Sequence, residues 1–201
     1  MSITSLLQFA LVAIFINNVM VDRMLGVDSL LRTIRPVRSA ALMGVITLLC
    51  MTIAAGCGWM VEYLLIQPLA LSSWRLLIVV TMVCSVFMFI ELLLHHWSIP
   101  LAERIRPLLY HSITNSAVVA AALLCGGVSP FSGGSYAIGQ AVGFGFCAGL
   151  GFFGVQLVVA GICKRIELAL VPAVMRGPGM VLIVCSLLAL CMQGFSLLGG
   201  K

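Results

Sequence analysis

The sequence predicts an all-α integral membrane protein of six transmembrane helices, arranged as two inverted three-helix repeats. Three observations carry that prediction. Of 201 residues, 62% are hydrophobic and 8% are charged, against about 25% charged in a soluble domain. Six apolar runs have spanning length, roughly 20 residues for a helix that crosses a bilayer. Long period-two alternation is absent and the runs are too long for barrel strands, which leaves the helix as the spanning form. One core could not hide so much apolar surface in a soluble chain. Lipid is the solvent for most of it, and no separate soluble domain fits.

The runs fall at residues 3–21, 39–66, 74–97, 107–128, 134–163 and 178–198. The opening MSITSLLQFALVAIFINNVMV has neither a basic n-region nor a small-residue cleavage site, so it reads as the first span rather than a signal peptide. Residues 3–97 form repeat one and residues 107–198 repeat two, within a single transmembrane domain over 1–201. The fifth run is rich in glycine. Gly139, Gly143 and Gly154 lie roughly on one face, and Gly145 and Gly149 form a further pair four residues apart. Small residues at such spacing let helices approach closely in lipid. The Ser-Gly-rich residues 129–135 read as a turn between spans.

Charge sets the orientation. Arg23, Arg32, Arg35 and Arg38 lie between the first two spans, Arg104 and Arg106 between the third and fourth, and Lys164, Arg165 and Arg176 between the fifth and sixth. The other side receives Arg75 and Lys201. Basic residues concentrate on the cytoplasmic side of membrane proteins, so both termini are expected on the non-cytoplasmic side of an inner membrane. The net charge of +5 belongs to these loops and implies no nucleic-acid partner.

Two spans carry polar interruptions. Asn17 and Asn18 sit within the first, followed by Asp22, Arg23 and Asp28; His111, Ser112, Thr114, Asn115 and Ser116 occupy the first half of the fourth. Polar groups at membrane depth must be satisfied by protein or face a cavity. Interhelical hydrogen bonding is one reading; broken helices are the other. The interruptions fall at equivalent places in two three-span halves, and an odd number of spans per half inverts the second. Matched interruptions in inverted repeats point to a site at the repeat interface. Breaks in the first and fourth helices are therefore expected.

Other chemistry is sparse. The eight cysteines form no CxxC pair and lie within or at the ends of apolar runs, as small apolar residues in packed helices do. His95 and His96 mark the cytoplasmic end of the third span. Glu91 is either a functional acid inside the membrane or a helix-end carboxylate paired with Arg104 or Arg106. No P-loop, nucleophile elbow or glycine-rich dinucleotide motif occurs.

Several strings resemble a family of membrane subunits that includes the A subunit of the bacterial Rnf electron-transport complex and the E subunit of the sodium-pumping NADH:quinone reductase. They are Asn17-Asn18, Leu25-Gly26, Glu91-Leu92, Thr114-Asn115, Val171-Pro172, Arg176-Gly177 and Gly194-Phe195-Ser196. Their order and spacing agree over nearly the whole chain. The resemblance implies a subunit without independent catalysis, paired with a homologous E-type subunit of opposite topology. It also implies an iron–sulfur cluster shared between the two, and flavin-carrying and ferredoxin-like subunits elsewhere in the complex. No flavin is expected on this chain. Electron flow in such complexes is coupled to Na+ or H+ movement. Asn17, Asn18, Leu25, Gly26, Thr114 and Asn115 would surround the cluster.

At the ligand positions the chain departs from the family. The family's cysteines, two residues after Leu-Gly and directly after Thr-Asn, are here Asp28 and Ser116. Thiolates are the usual cluster ligands. Asp28 and Ser116 could act as oxygen ligands, a poorer match for a soft cluster. Cys125 could replace them, though it lies nine residues beyond Ser116, about 13 Å along a helix. Otherwise the subunit binds no cluster, or holds one asymmetrically through its partner. Two rival functions are a small-solute transporter with Asn17, Asn18, Thr114 and Asn115 at its site, and a structural paralogue without a cofactor.

Overall fold

A computed structural model describes residues 25–28, 37–97, 99–126, 137–167 and 177–198, and every regular element among these is helical. Helix α1 runs over Val37–Val61 and passes into a π-helical turn at Glu62–Ile66. A tight turn, with Ala70 at φ +50°, leads through a short 3-10 turn into α2, Arg75–Trp97. Helices α3, Ile99–Ile113, and α4, Ser116–Cys125, are separated by a short break. Helices α5, Ile138–Glu167, and α6, Pro178–Leu198, complete the set.

These helices coincide closely with the second to sixth predicted runs. Residues Ser39–Ile66, Ser72–His96 and Ile138–Ile166 are each long and apolar enough to cross a membrane. The pair Arg106–Ile113 and Ser116–Cys125 meets the same test as one span bent by 57°, and Gly179–Gly194 is a shorter apolar helix. The predicted break in the fourth span is therefore present. The first span, with Asn17 and Asn18, and the turn at 129–135 lie outside the described residues.

Polar side chains inside these helices return their protons to the backbone. Thr47 Oγ1 donates to the Met43 carbonyl at 2.9 Å, Thr52 Oγ1 to Leu48 at 2.9 Å and Ser112 Oγ to Leu108 at 3.1 Å. Each contact satisfies a hydroxyl that lipid could not. The buried centre forms where α1, α4 and α5 meet. Met51, Ala54, Ala55, Ala117, Ala121, Ala122, Ala148 and Phe152 are inaccessible or nearly so. Alanine predominates because small side chains allow the dispersion contact that drives helix association in lipid. By contrast, α2 exposes Leu76, Leu77, Phe89 and Leu92, the surface a membrane would solvate.

The fifth-span glycines divide into two groups. A Cβ on Gly145 would lie 2.5 Å from Ala55 Cβ and 2.9 Å from the Met51 carbonyl, and one on Gly149 would meet Leu48 Cα at 3.1 Å. These two let α5 lie directly on α1. Gly139, Gly143, Gly154 and Gly161 have no neighbour within 4 Å among the described residues. The contacts also show that α5 runs antiparallel to α1: higher numbers in α5 meet lower numbers in α1. Lys164 and Arg165 therefore lie at the end of the bundle where α1 begins.

Candidate functional site

The break between α3 and α4 is built by Asn115. Its backbone is extended, at φ −75° and ψ 117°, and its side-chain oxygen accepts from the Ala117 N–H at 3.0 Å. That is an N-cap, and it satisfies one of the donors a helix start leaves open. Helix α3 ends with Thr114 Oγ1 donating to the Tyr110 carbonyl at 3.1 Å. The bend thus exposes few bare backbone groups. It also sets the positive end of α4, a ten-residue helix, at the break.

The Leu25-Gly26 motif meets this break. Gly26 adopts φ +86°, in the left-handed region where glycine alone carries no Cβ penalty. Its N–H donates to Ser116 Oγ at 2.9 Å across 90 residues of sequence. A Cβ at Gly26 would lie 2.6 Å from Phe152 and 2.9 Å from Asn115 Oδ1. Leu25, Gly26, Thr114, Asn115 and Ser116 therefore share one location, although they come from opposite halves of the chain. Asp28, just beyond Gly26, is exposed, and so is Ser116. Asn17 and Asn18 lie outside the described residues.

The donor set at this location does not fit an iron–sulfur cluster. Residues 25–28 and 114–117 contain no cysteine, and Ser116 Oγ already accepts the Gly26 N–H. Cys125 lies at the far end of α4, buried, with its thiol 3.5 Å from the Ala141 carbonyl. Among the described residues no three His, Cys, Asp or Glu side chains are grouped so as to hold a metal ion. This chain offers oxygen donors alone where thiolates would be needed.

Two charged pairs frame the site. Arg106 Nε lies 2.7 Å from Glu91 Oε1, so the geometry matches the helix-end pairing of Glu91. His95 and His96 are exposed at that same end. At the opposite end, Arg75 Nε donates to Glu62 Oε2 at 2.9 Å and Arg75 Nη2 to the Leu123 carbonyl at 2.8 Å. A cation at the last turn of α4 complements its negative end. Gly126 makes room, since a Cβ there would sit 2.7 Å from Glu62 Oε2. Sequence reasoning passes over Glu62 because it closes an apolar run without interrupting it. The signal was an acid 13 residues before an arginine, with the end of α4 beside them in space.

Gln156 escapes notice in the same way. It is fully buried on α5, and among the described residues neither its Oε1 nor its Nε2 has a hydrogen-bond partner; Asn115 Nδ2 shares that condition. An amide in the middle of a 30-residue apolar helix was the available sign.

Residues 6–200 match the model of a family described as Rnf-Nqr subunit, membrane protein. The chain is 31% identical over 181 residues to the A subunit of the ion-translocating oxidoreductase complex of Histophilus somni, covering 90% of this chain and 91% of the relative. The protein of the same description from Aromatoleum aromaticum is 33% identical over 181 residues, again 90% and 91%. That of Syntrophotalea carbinolica is 30% identical over 192 residues, 96% of each.

Proposed function

Because the chain belongs to the Rnf-Nqr family of membrane subunits, we propose that it serves as the A-type membrane subunit of an ion-translocating oxidoreductase complex. The observation that carries this reading is a contact between the two halves of the chain, in which the Leu25-Gly26 turn hydrogen-bonds to the Asn115-capped break through Ser116. The chain keeps the scaffold of the shared site while supplying Asp28 and Ser116 in place of thiols. Its part is to hold a partner of opposite topology and to line the electron path. A cluster, where the complex has one, is ligated chiefly by that partner. Flavin-carrying and ferredoxin-like subunits complete the complex, which sits in the bacterial inner membrane and couples electron flow to Na+ or H+ movement.

Mild-detergent purification of the full chain from its native membrane tests the assembly. A second six-span homologue and flavoprotein subunits should co-purify. A chain that runs alone, or as a homo-oligomer, would favour a solute transporter instead. Ligation is tested separately by iron analysis of the purified complex. The double change Asp28→Ala with Ser116→Ala should leave iron content unchanged, whereas Asp28→Cys with Ser116→Cys should raise it. Loss of iron in the alanine variant would show that the two oxygen side chains are ligands after all.

A further inference from the structure

The buried core contains amide groups that have no partner among the described residues. Gln156 and Asn115 are 0% and 2% exposed, yet Gln156 Oε1, Gln156 Nε2 and Asn115 Nδ2 have no partner among the described residues. In lipid such groups are not left bare, because no bulk water is at hand to receive them. Their neighbours put both on the elements that meet at the α3–α4 break. Phe152, one turn before Gln156 on α5, meets the Gly26 position that Asn115 Oδ1 also meets. Gln156 Oε1 lies 3.1 Å from a Cβ position at Gly44 on α1. One turn further along α1, Thr47 Oγ1 contacts Ser112 Oγ at 3.3 Å, and Ser112 is one turn before Asn115. Helices α1 and α5 and the α3–α4 break thus adjoin one another here.

From this geometry we infer that the junction of α1, the α3–α4 break and α5 is a seat for internal water, held by Gln156 and Asn115. The chemistry of the surrounding groups selects the occupant. Asn115 and Gln156 present amide N–H donors, and the N-terminus of α4 adds its positive end. A cation is therefore repelled. Gln156 Oε1 is an acceptor, and the hydroxyls of Thr47 and Ser112, which donate to Met43 and Leu108 or one to the other, offer oxygens as acceptors too. An anion would face those oxygens. A neutral molecule that both donates and accepts satisfies all of them, and water is the smallest. Buried waters of this kind make about three bonds each to otherwise unsatisfied groups. The seat depends on no redox role and stands whether or not the chain binds a cluster.

X-ray hydroxyl-radical footprinting tests the seat on the intact complex, because radicals formed from bound water modify side chains beside it even when bulk solvent cannot reach them. Phe152 should be modified severalfold more than Phe87, which is equally buried, at 0% and 1% exposed, but lies on α2. Equal, background-level modification of the two phenylalanines would overturn the proposal, and this comparison needs no variant. In Gln156→Leu the excess at Phe152 should fall to the Phe87 level, since the seat loses its main anchor. The melting temperature gives a second readout of opposite sign for the two cases. Removing a dry, unpaired amide would raise it, whereas removing the anchor of a hydrated seat should lower it. A raised melting temperature would count against the proposal.

Discussion

At Gly26 two requirements coincide, a left-handed backbone and the absence of a side chain. The φ of +86° costs any other residue about 1–2 kcal/mol. A methyl group there would also press on Phe152 and Asn115 Oδ1, at 2.6 and 2.9 Å, and overpacking of that kind costs a further 1–3 kcal/mol, roughly. Gly26→Ala should therefore destabilise the protein by about 2–5 kcal/mol, read as a lowered melting temperature in detergent. Gly139 supplies the control, since no described residue lies within 4 Å of its Cβ position. Gly139→Ala should be neutral or slightly stabilising, by at most about 1 kcal/mol, as expected for an open helical glycine. Equal effects at both positions would remove the argument for a packed turn at Gly26. Both glycines were visible in the sequence, Gly26 in the Leu-Gly string and Gly139 in the fifth-run glycine set. Which glycine meets a neighbour is a matter of helix rotation, and composition does not encode that.

Helix α4 is pinned at both ends by polar side chains. Asn115 caps its start, and Arg75 takes up the Leu123 carbonyl at its finish while paired to Glu62. Ten residues are too few for a helix to persist on intrinsic propensity, so these ends determine where it sits. The Glu62 side chain is 12% exposed and that of Arg75 33%. Removing the arginine alone strands a mostly buried carboxylate, at a cost below the roughly 3–5 kcal/mol of a fully buried pair. Arg75→Met should lower stability by about 1–3 kcal/mol, and adding Glu62→Gln should restore part of it. A double-mutant cycle on the melting temperature measures the coupling, and additive losses would show that the pair is not a unit. The helices themselves were legible: predicted runs at 39–66 and 178–198 correspond to Ser39–Ile66 and Pro178–Leu198. The bend at 114–115 was legible from its polar residues. The Glu62–Arg75 link was not, because it joins a turn to the end of a distant half-helix and leaves no periodic trace.

Across the whole molecule, charge separates by end. Arg106, bonded to Glu91, lies at the end where α2 finishes and α3 begins. Antiparallel packing of α5 on α1 brings Lys164 and Arg165, both exposed, to the end where α1 starts. These are one end, because α1 and α2 form a hairpin whose turn lies at the other. Among the described residues, Arg106, Lys164 and Arg165 are thus gathered at one end by helix contacts. Arg75 is the exception among the described residues, and it is turned inward to Glu62 and Leu123 as a structural arginine. Since basic residues are retained in the cytoplasm during insertion, the end bearing Arg106, Lys164 and Arg165 should be cytoplasmic and the C-terminus outside. Reporter fusions can check this in cells without altering the native cysteines. Alkaline phosphatase joined after Lys201 should be active and green fluorescent protein at the same place dark, while fusions after Arg165 should behave the opposite way. Arg75→Gln should leave this pattern intact, because the bias resides at the other end. Fluorescence from the Lys201 fusion would invert the whole assignment, and with it the membrane face on which the Glu62–Arg75 pair lies.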